Sequence, residues 1–185
     1  MNLQRTKIDD LLLIQPDVYP DERGYFFESF QKENFRKLGI DVDFVQDNES
    51  MSAKNVLRGL HFQVPPFAQG KLVRVVMGSA LDVAVDLRKN SQTYGKWESV
   101  VLSEKNKLML WIPEGFAHGF LTLEDNTVFQ YKCTNYYNRV SERGIIWNDP
   151  DLNIDWGADQ PLVSEKDLKG LLLKEFVSPF NIKQK

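Results

Sequence analysis

Cysteine is almost absent from this chain: one residue, Cys133, among 185. A lone thiol excludes an internal disulfide and any metal site built from several thiolates, and it fits a reducing compartment. Cys133 lies within TVFQYKC and is expected in the core, on a strand. Long apolar runs are missing too. No stretch approaches the ~20 residues that span a bilayer, and the opening MNLQRTKIDD has no apolar segment of the secretory kind. The expectation is a cytoplasmic protein with no membrane partner. Nor is there a basic excess: 23 Lys and Arg stand against 26 Asp and Glu, a net charge of −3, so no general field attracts nucleic acid. A few Arg and Lys still suffice locally to grip a small anion such as a diphosphate. No GxSxG elbow is present and the one thiol sits mid-strand, which counts against nucleophilic catalysis.

Aromatic residues are plentiful instead: twelve Phe and four Trp can fill a wide interior. A chain of this length buries roughly 70% of the surface its unfolded form exposes, so a single domain spanning residues 1–185 is the default. From residue 8 to about residue 150 the chain reads as short strands and turns. In ALDVAVDLR, Leu81, Val83, Val85 and Leu87 alternate with Asp82, Ala84, Asp86 and Arg88, which predicts one packed face and one polar face. Similar runs recur at GYFFESF, KLVRVVMG, WESVVLS, KLMLWIP and TVFQYKC. Strands this closely spaced favour an antiparallel sandwich or barrel. QKENFRKLG, residues 31–39, has a helical look, and SEKDLKGLLLKEF predicts a capped α-helical tail with Ser164 as N-cap and Asp167 at the capping-box position.

The two histidines concentrate the chemical interest. Strict alternation in VLRGLHFQ puts His61 on one face with Leu57, Gly59 and Gln63, and Gly59 leaves room for a ligand to approach. A core histidine bonded to a backbone carbonyl is the competing explanation. His118, in WIPEGFAHGF, admits the same two readings. Arg58, Lys71, Tyr131 and either Asp82 or Asp86 fall on neighbouring strand candidates and could line one pocket with them. Metal-binding barrels usually bring two histidines one residue apart, then an acid and a further histidine. His61 is followed by Phe62 and Gln63, so no such ligand set is expected. Acid–base work remains. A neutral imidazole suits removal of a proton beside a carbonyl if a cation steadies the enolate oxygen, roles open to His61 and Lys71.

In order and spacing, the segments DERGYFFESF, FVQDNES, NVLRGLHFQ, QGKLVR, DVAVDLR, LWIPEGFAHGF, YKCTNYY, IIWNDPDLNIDW and LVSEKD resemble the dTDP-4-dehydrorhamnose 3,5-epimerase family over nearly the whole chain. The resemblance implies a mainly β fold: a cupin-type jelly-roll barrel, or double-stranded β-helix, with a few short helices including a C-terminal one. It implies a homodimer with sites shared between subunits, acting without metal or cofactor on a dTDP-linked 4-keto-6-deoxy sugar. Carried over by position, His61 becomes the base at C3 and C5, Asp167 its partner carboxylate, and Tyr131 the acid on the opposite face. Lys71 and His118 are implied near the C4 oxygen and the sugar. Arg23, Glu28, Gln46, Asp47, Asn48, Arg58, Glu142 and Lys166 are implied for the nucleotide diphosphate, with Tyr19 and Tyr137 as aromatic surfaces. Because alternation separates Arg58 from His61, a bulge at Gly59 is expected. The loop QVPPFAQG and Glu49 are expected to tune which nucleotide or sugar fits. Two alternatives remain open: a relative that inverts only one carbon, and a non-catalytic sugar-nucleotide binding barrel.

Overall fold

A computed structural model describes residues 1–182. In chain order the elements are β1 (Asn2–Arg5), β2 (Leu12–Gln15), β3 (Val18–Asp21), β4 (Gly24–Phe27), α1 (Lys32–Lys37), β5 (Gln46–Ser52), β6 (Val56–Gln63), β7 (Lys71–Met77), β8 (Ser79–Asp86), β9 (Trp97–Ser103), β10 (Met109–Ile112), β11 (Phe116–Thr122), β12 (Thr127–Cys133), β13 (Glu142–Gly144) and β14 (Leu162–Val163). One sheet runs β1-β2-β10-β7-β12-β5 and the second β13-β6-β11-β8-β9, with β14 paired to β6; β3 and β4 form a separate hairpin. The inner faces of the two large sheets share one apolar cluster: Val73, Val75 and Phe129 meet Ala80, Ala84, Phe116 and Phe120. This is the mainly β, largely antiparallel architecture that the strand spacing favoured, arranged as the jelly roll that the family resemblance implied. Phe120 and Phe129, one from each sheet, stack at 4.0 Å and 3° and tie the walls together.

The expected division of β8 into a packed face and a polar face needs correction, because both faces are buried. Ala80 and Ala84 point inward, so Asp82 between them does as well. Leu81, Val83, Val85 and Leu87 point outward, where Leu152, Trp156, Leu173 and Phe180 of the C-terminal segment cover them. Each fully buried Leu or Phe there contributes roughly 1.5–3 kcal/mol, which is why the segment stays down. Asp82 and Asp86 are fully buried. Their carboxylates are answered by His118 and Arg88 respectively.

The helix expected at residues 31–39 forms over Lys32–Lys37. The Gln31 side chain accepts from Asn34 N–H, and Phe35 is driven into a third cluster with Ile14, Ile40, Met109 and Trp111. The C-terminal helix takes a different form: two separate 3₁₀ turns, Asp167–Lys169 and Leu173–Glu175. Gly170 interrupts them in an extended conformation, where an added Cβ would lie 2.6 Å from Ile146 N. There the chain makes a parallel bridge instead, Leu171 opposite Ile145. Cys133 is buried on β12, as its setting implied.

Candidate active site

A cavity of about 560 Å³ opens between the two sheets. The second sheet supplies Arg58, His61, His118 and Phe120; the first supplies Ser50, Lys71 and Tyr131 from the facing wall. Leu162, Val163, Ser164, Lys166 and Asp167 of the C-terminal segment close one side. An adjoining recess of about 260 Å³ shares His61, Lys71 and Tyr131 and adds Gln46, Asn48, Gln63, Gln69, Tyr137 and Glu142.

His61 owes its direction to a bulge. Across β6 and β11 the register runs His61 opposite His118 and then Arg58 opposite Phe120, so Gly59 and Leu60 stand against Gly119 alone. The extra residue brings Arg58 and His61 onto the same cavity, which resolves the conflict that alternation posed. The room at Gly59 serves a different purpose from the one its size suggested. Gly59 has φ +132°, and an added Cβ would lie 2.5 Å from Gly119 Cα. The space is filled by the neighbouring strand, not by a ligand.

Asp167 comes to His61 from the first C-terminal turn, 106 residues away, with Oδ1 2.6 Å from His61 Nε2. Its Oδ2 accepts from Gly59 N–H at 3.3 Å, and its own N–H donates to Ser164 Oγ at 3.1 Å. The Ser164 hydroxyl thus holds the start of the turn, although the cap position itself falls on Lys166, and the Asp167 side chain turns into the cavity instead of completing a capping box. Burial pushes the Asp167 carboxyl up, but His61, the Gly59 amide and Ser164 outweigh it and hold it below the ordinary carboxylate range. The Asp167 side chain is 4% exposed and that of His61 30%, so the ring is open to the cavity while its partner is held behind it, nearly sealed from solvent.

The facing wall holds a phenol and an amine. Burial, reinforced by Cys133 and Glu142 and opposed by Arg58, raises the Tyr131 hydroxyl above its usual range and keeps it a proton donor. Lys71 Nζ lies 5.8 Å from the Tyr131 ring centre. Burial lowers its pKa, against the fields of Cys133, Asp82 and Glu142. His118 is buried and places Nε2 2.8 Å from Asp82 Oδ2. Burial lowers its pKa, and Lys71 and His61 add to that, against the pull of Asp82. At the rim, Glu142 accepts from Tyr137 Oη at 2.9 Å and pairs with Lys166. Among the described residues, no three His, Cys, Asp or Glu side chains converge as metal ligands would.

Of the residues singled out in the sequence, Arg58, His61, Lys71, His118, Tyr131, Lys166 and Asp167 line the main cavity, and Gln46, Asn48, Tyr137 and Glu142 line the recess. Tyr19, Arg23, Glu28 and Asp47 line neither space, and neither do Asp82 and Asp86. Tyr19 and Arg23 belong to the exposed β3–β4 hairpin, with Arg23 bonded to Asp21. Glu28, just beyond β4, accepts from Asn34 Nδ2 at 2.7 Å. Asp47 pairs with Lys132 on the outer face of β5, because alternation turns Gln46, Asn48, Ser50 and Ser52 inward instead. Asp86 lies on the inward face too, but at the far end of β8, where it holds Arg88. Ser50 and Phe120 were missed as lining residues, although the same alternation, counted from Asn48 and His118, predicts them.

The comparisons with known proteins agree. A family model described as dTDP-4-dehydrorhamnose 3,5-epimerase matches residues 5–175. The dTDP-4-dehydrorhamnose 3,5-epimerase of Shigella flexneri is 55% identical over 171 residues, 92% of this chain and 94% of its own. A crystal structure of dTDP-6-deoxy-D-glucose-3,5-epimerase from Legionella pneumophila Philadelphia 1, in complex with dTDP-4-keto-L-rhamnose, is similar with a TM-score of 0.90 at 50% identity, covering 94% of this chain and 93% of that one. A 3'-monoepimerase from Streptomyces bikiniensis, in complex with dTDP-quinovose, is similar at 33% identity and a TM-score of 0.86, over 92% and 87% of the two chains.

Proposed function

Because the chain belongs to the dTDP-4-dehydrorhamnose 3,5-epimerase family, we propose that it inverts C3 and C5 of dTDP-4-dehydro-6-deoxy-D-glucose to give dTDP-4-dehydro-L-rhamnose. The observation that carries the mechanism is the placement of an imidazole on one wall of the cavity and a phenol on the other. Asp167 occupies His61 Nε2, so Nδ1 takes the proton from the carbon. The C–H electron pair moves into the C3–C4 bond, and the carbonyl becomes an enolate whose oxygen faces the Lys71 ammonium. Tyr131 then gives its hydroxyl proton to the carbon from the opposite face, and exchange with solvent resets both groups. The same sequence at C5 completes the reaction. Acid and base must stand on opposite faces, because a single group would return the proton to the side it came from.

Arg58 and Lys166, on the cavity wall and its C-terminal side, supply positive charge for the diphosphate, and Tyr137 offers an aromatic surface in the recess. The enzyme acts as a single domain in the cytoplasm, without a resident metal or cofactor. It acts as a homodimer, in which Tyr19, Arg23 and Glu28 serve the neighbouring subunit's cavity. Their position outside their own cavity and the exposure of Tyr19, Tyr25 and Phe26 on the same hairpin support that arrangement.

Incubation with the dTDP-4-keto-6-deoxyglucose substrate in deuterated water, followed by NMR, tests the activity. Deuterium is expected at both C3 and C5. Exchange at C3 alone would make this a 3-epimerase, and exchange at neither would leave a binding barrel.

A further inference from the structure

Asp82 is a fully buried acid whose purpose the proton transfers leave unexplained. It projects inward from β8 between Ala80 and Ala84, and one oxygen is taken by His118 Nε2 at 2.8 Å. The other oxygen, Oδ1, is buried with no hydrogen-bond partner among the described residues. A buried polar atom left unpaired is costly and calls for an explanation. Lys71 from β7 and His61 from β6 act on the His118 ring, and Lys71 in turn feels Cys133 from β12, Asp82 and Glu142 from β13.

We propose that Asp82 is a positioning residue, which takes the Nε2–H of His118 and so presents the other ring nitrogen, Nδ1, to the sugar as a hydrogen-bond acceptor. A neutral imidazole carries one N–H, and a carboxylate against Nε2 fixes it there. Nδ1 then holds a lone pair. It can receive a sugar hydroxyl but cannot donate to the C4 oxygen, so the enolate depends on Lys71. The small side chain of Ala84, opposite His118 in the β8–β11 register, leaves the ring free to turn toward Asp82. Burial keeps the ring neutral in the direction this requires. The field of Asp82 also favours the Lys71 ammonium. The consequence for the sugar rests on the epimerase reading, whereas the tautomer does not.

Long-range nitrogen–proton NMR of the unliganded, intact protein tests this directly. Only two imidazoles contribute signals, and His61→Asn assigns them. At pH 7 His118 is expected as the neutral Nε2–H form. A ring found protonated on Nδ1, or doubly protonated, overturns the proposal. Asp82→Asn is expected to mix the two tautomers and lower kcat for C3 exchange on the order of tenfold or more, with KM changed much less. An unchanged tautomer and unchanged kcat in that variant also overturn it. If the unaltered protein turned over no sugar, the epimerase reading would fall while the His118 tautomer still decided this one.

Discussion

The cavity contains two histidine–aspartate pairs that differ in almost everything except their chemistry. His61 meets Asp167 at 2.6 Å and His118 meets Asp82 at 2.8 Å, both through Nε2. The His61 side chain is 30% exposed and that of His118 only 7%. Asp167 arrives from a C-terminal turn and is tied down by Gly59 and Ser164, whereas Asp82 sits on the adjacent strand with one oxygen unanswered. The same pair of residue types thus serves two ends. A ring open to the cavity and held from behind by a fully engaged carboxylate can move a proton. A more deeply buried ring, its Nε2 engaged by Asp82, is suited to accept a hydrogen bond at the cavity wall instead.

The sharpest way to separate the pairs is to remove each ring. His61→Asn is expected to lower deuterium exchange at both C3 and C5 by roughly 10³-fold without unfolding the protein, as loss of a general base does. A variant that kept exchange at either carbon would assign that proton to another group. Asp167→Asn is expected next, at about 10²-fold, since the ring remains but its tautomer and direction are no longer fixed. The same variant has a pH signature. The Asp167 carboxyl is held below its ordinary range in the folded state, so it stabilises the fold above about pH 4 and that contribution fades as the pH drops further. The difference in melting temperature between the parent and Asp167→Asn should therefore narrow below about pH 4; a gap that widened there would contradict the assignment.

How much of this was legible in the sequence depends on how far apart the contacting residues lie along the chain. The two-faced alternation of β8, though not the burial of its second face, the short helix after Gln31 and the strand setting of Cys133 are local, and they were readable from spacing. Arg58, His61, Lys71, His118 and Tyr131 were readable as a candidate cluster for the same reason, because they recur on consecutive strand segments. Asp167 was not readable from spacing: by local rules it completes a capping box, only the family resemblance paired it with His61, and the crossing of the C-terminal segment over β6 is what turns it there. Gly59 was misread likewise, since the backbone that needs its missing side chain belongs to Gly119 on another strand. The outward path of the hairpin carrying Tyr19 and Arg23 is a tertiary fact with no local signal.

Smaller effects sharpen the comparison further. Lys71 must be charged to face an enolate, and burial lowers its pKa, so kcat/KM for exchange should fall on the alkaline side before the usual lysine range near pH 10.4 is reached. Lys71→Arg should remove that alkaline limb, and a limb that persisted would belong to another group. The exposed pair of Arg36 and Glu33 on α1 sets the lower bound: Glu33→Ala should leave melting temperature and exchange unchanged within error, because a solvated ion pair contributes little.

The central claim is that base and acid act from opposite walls, and Tyr131→Phe tests it most directly. Deuterium wash-in at C3 and C5 and formation of the inverted sugar can be followed in the same NMR sample. Abstraction needs only His61, so wash-in should survive while inversion falls at least about tenfold further. Equal loss of wash-in and inversion would contradict a two-walled mechanism with Tyr131 as the acid.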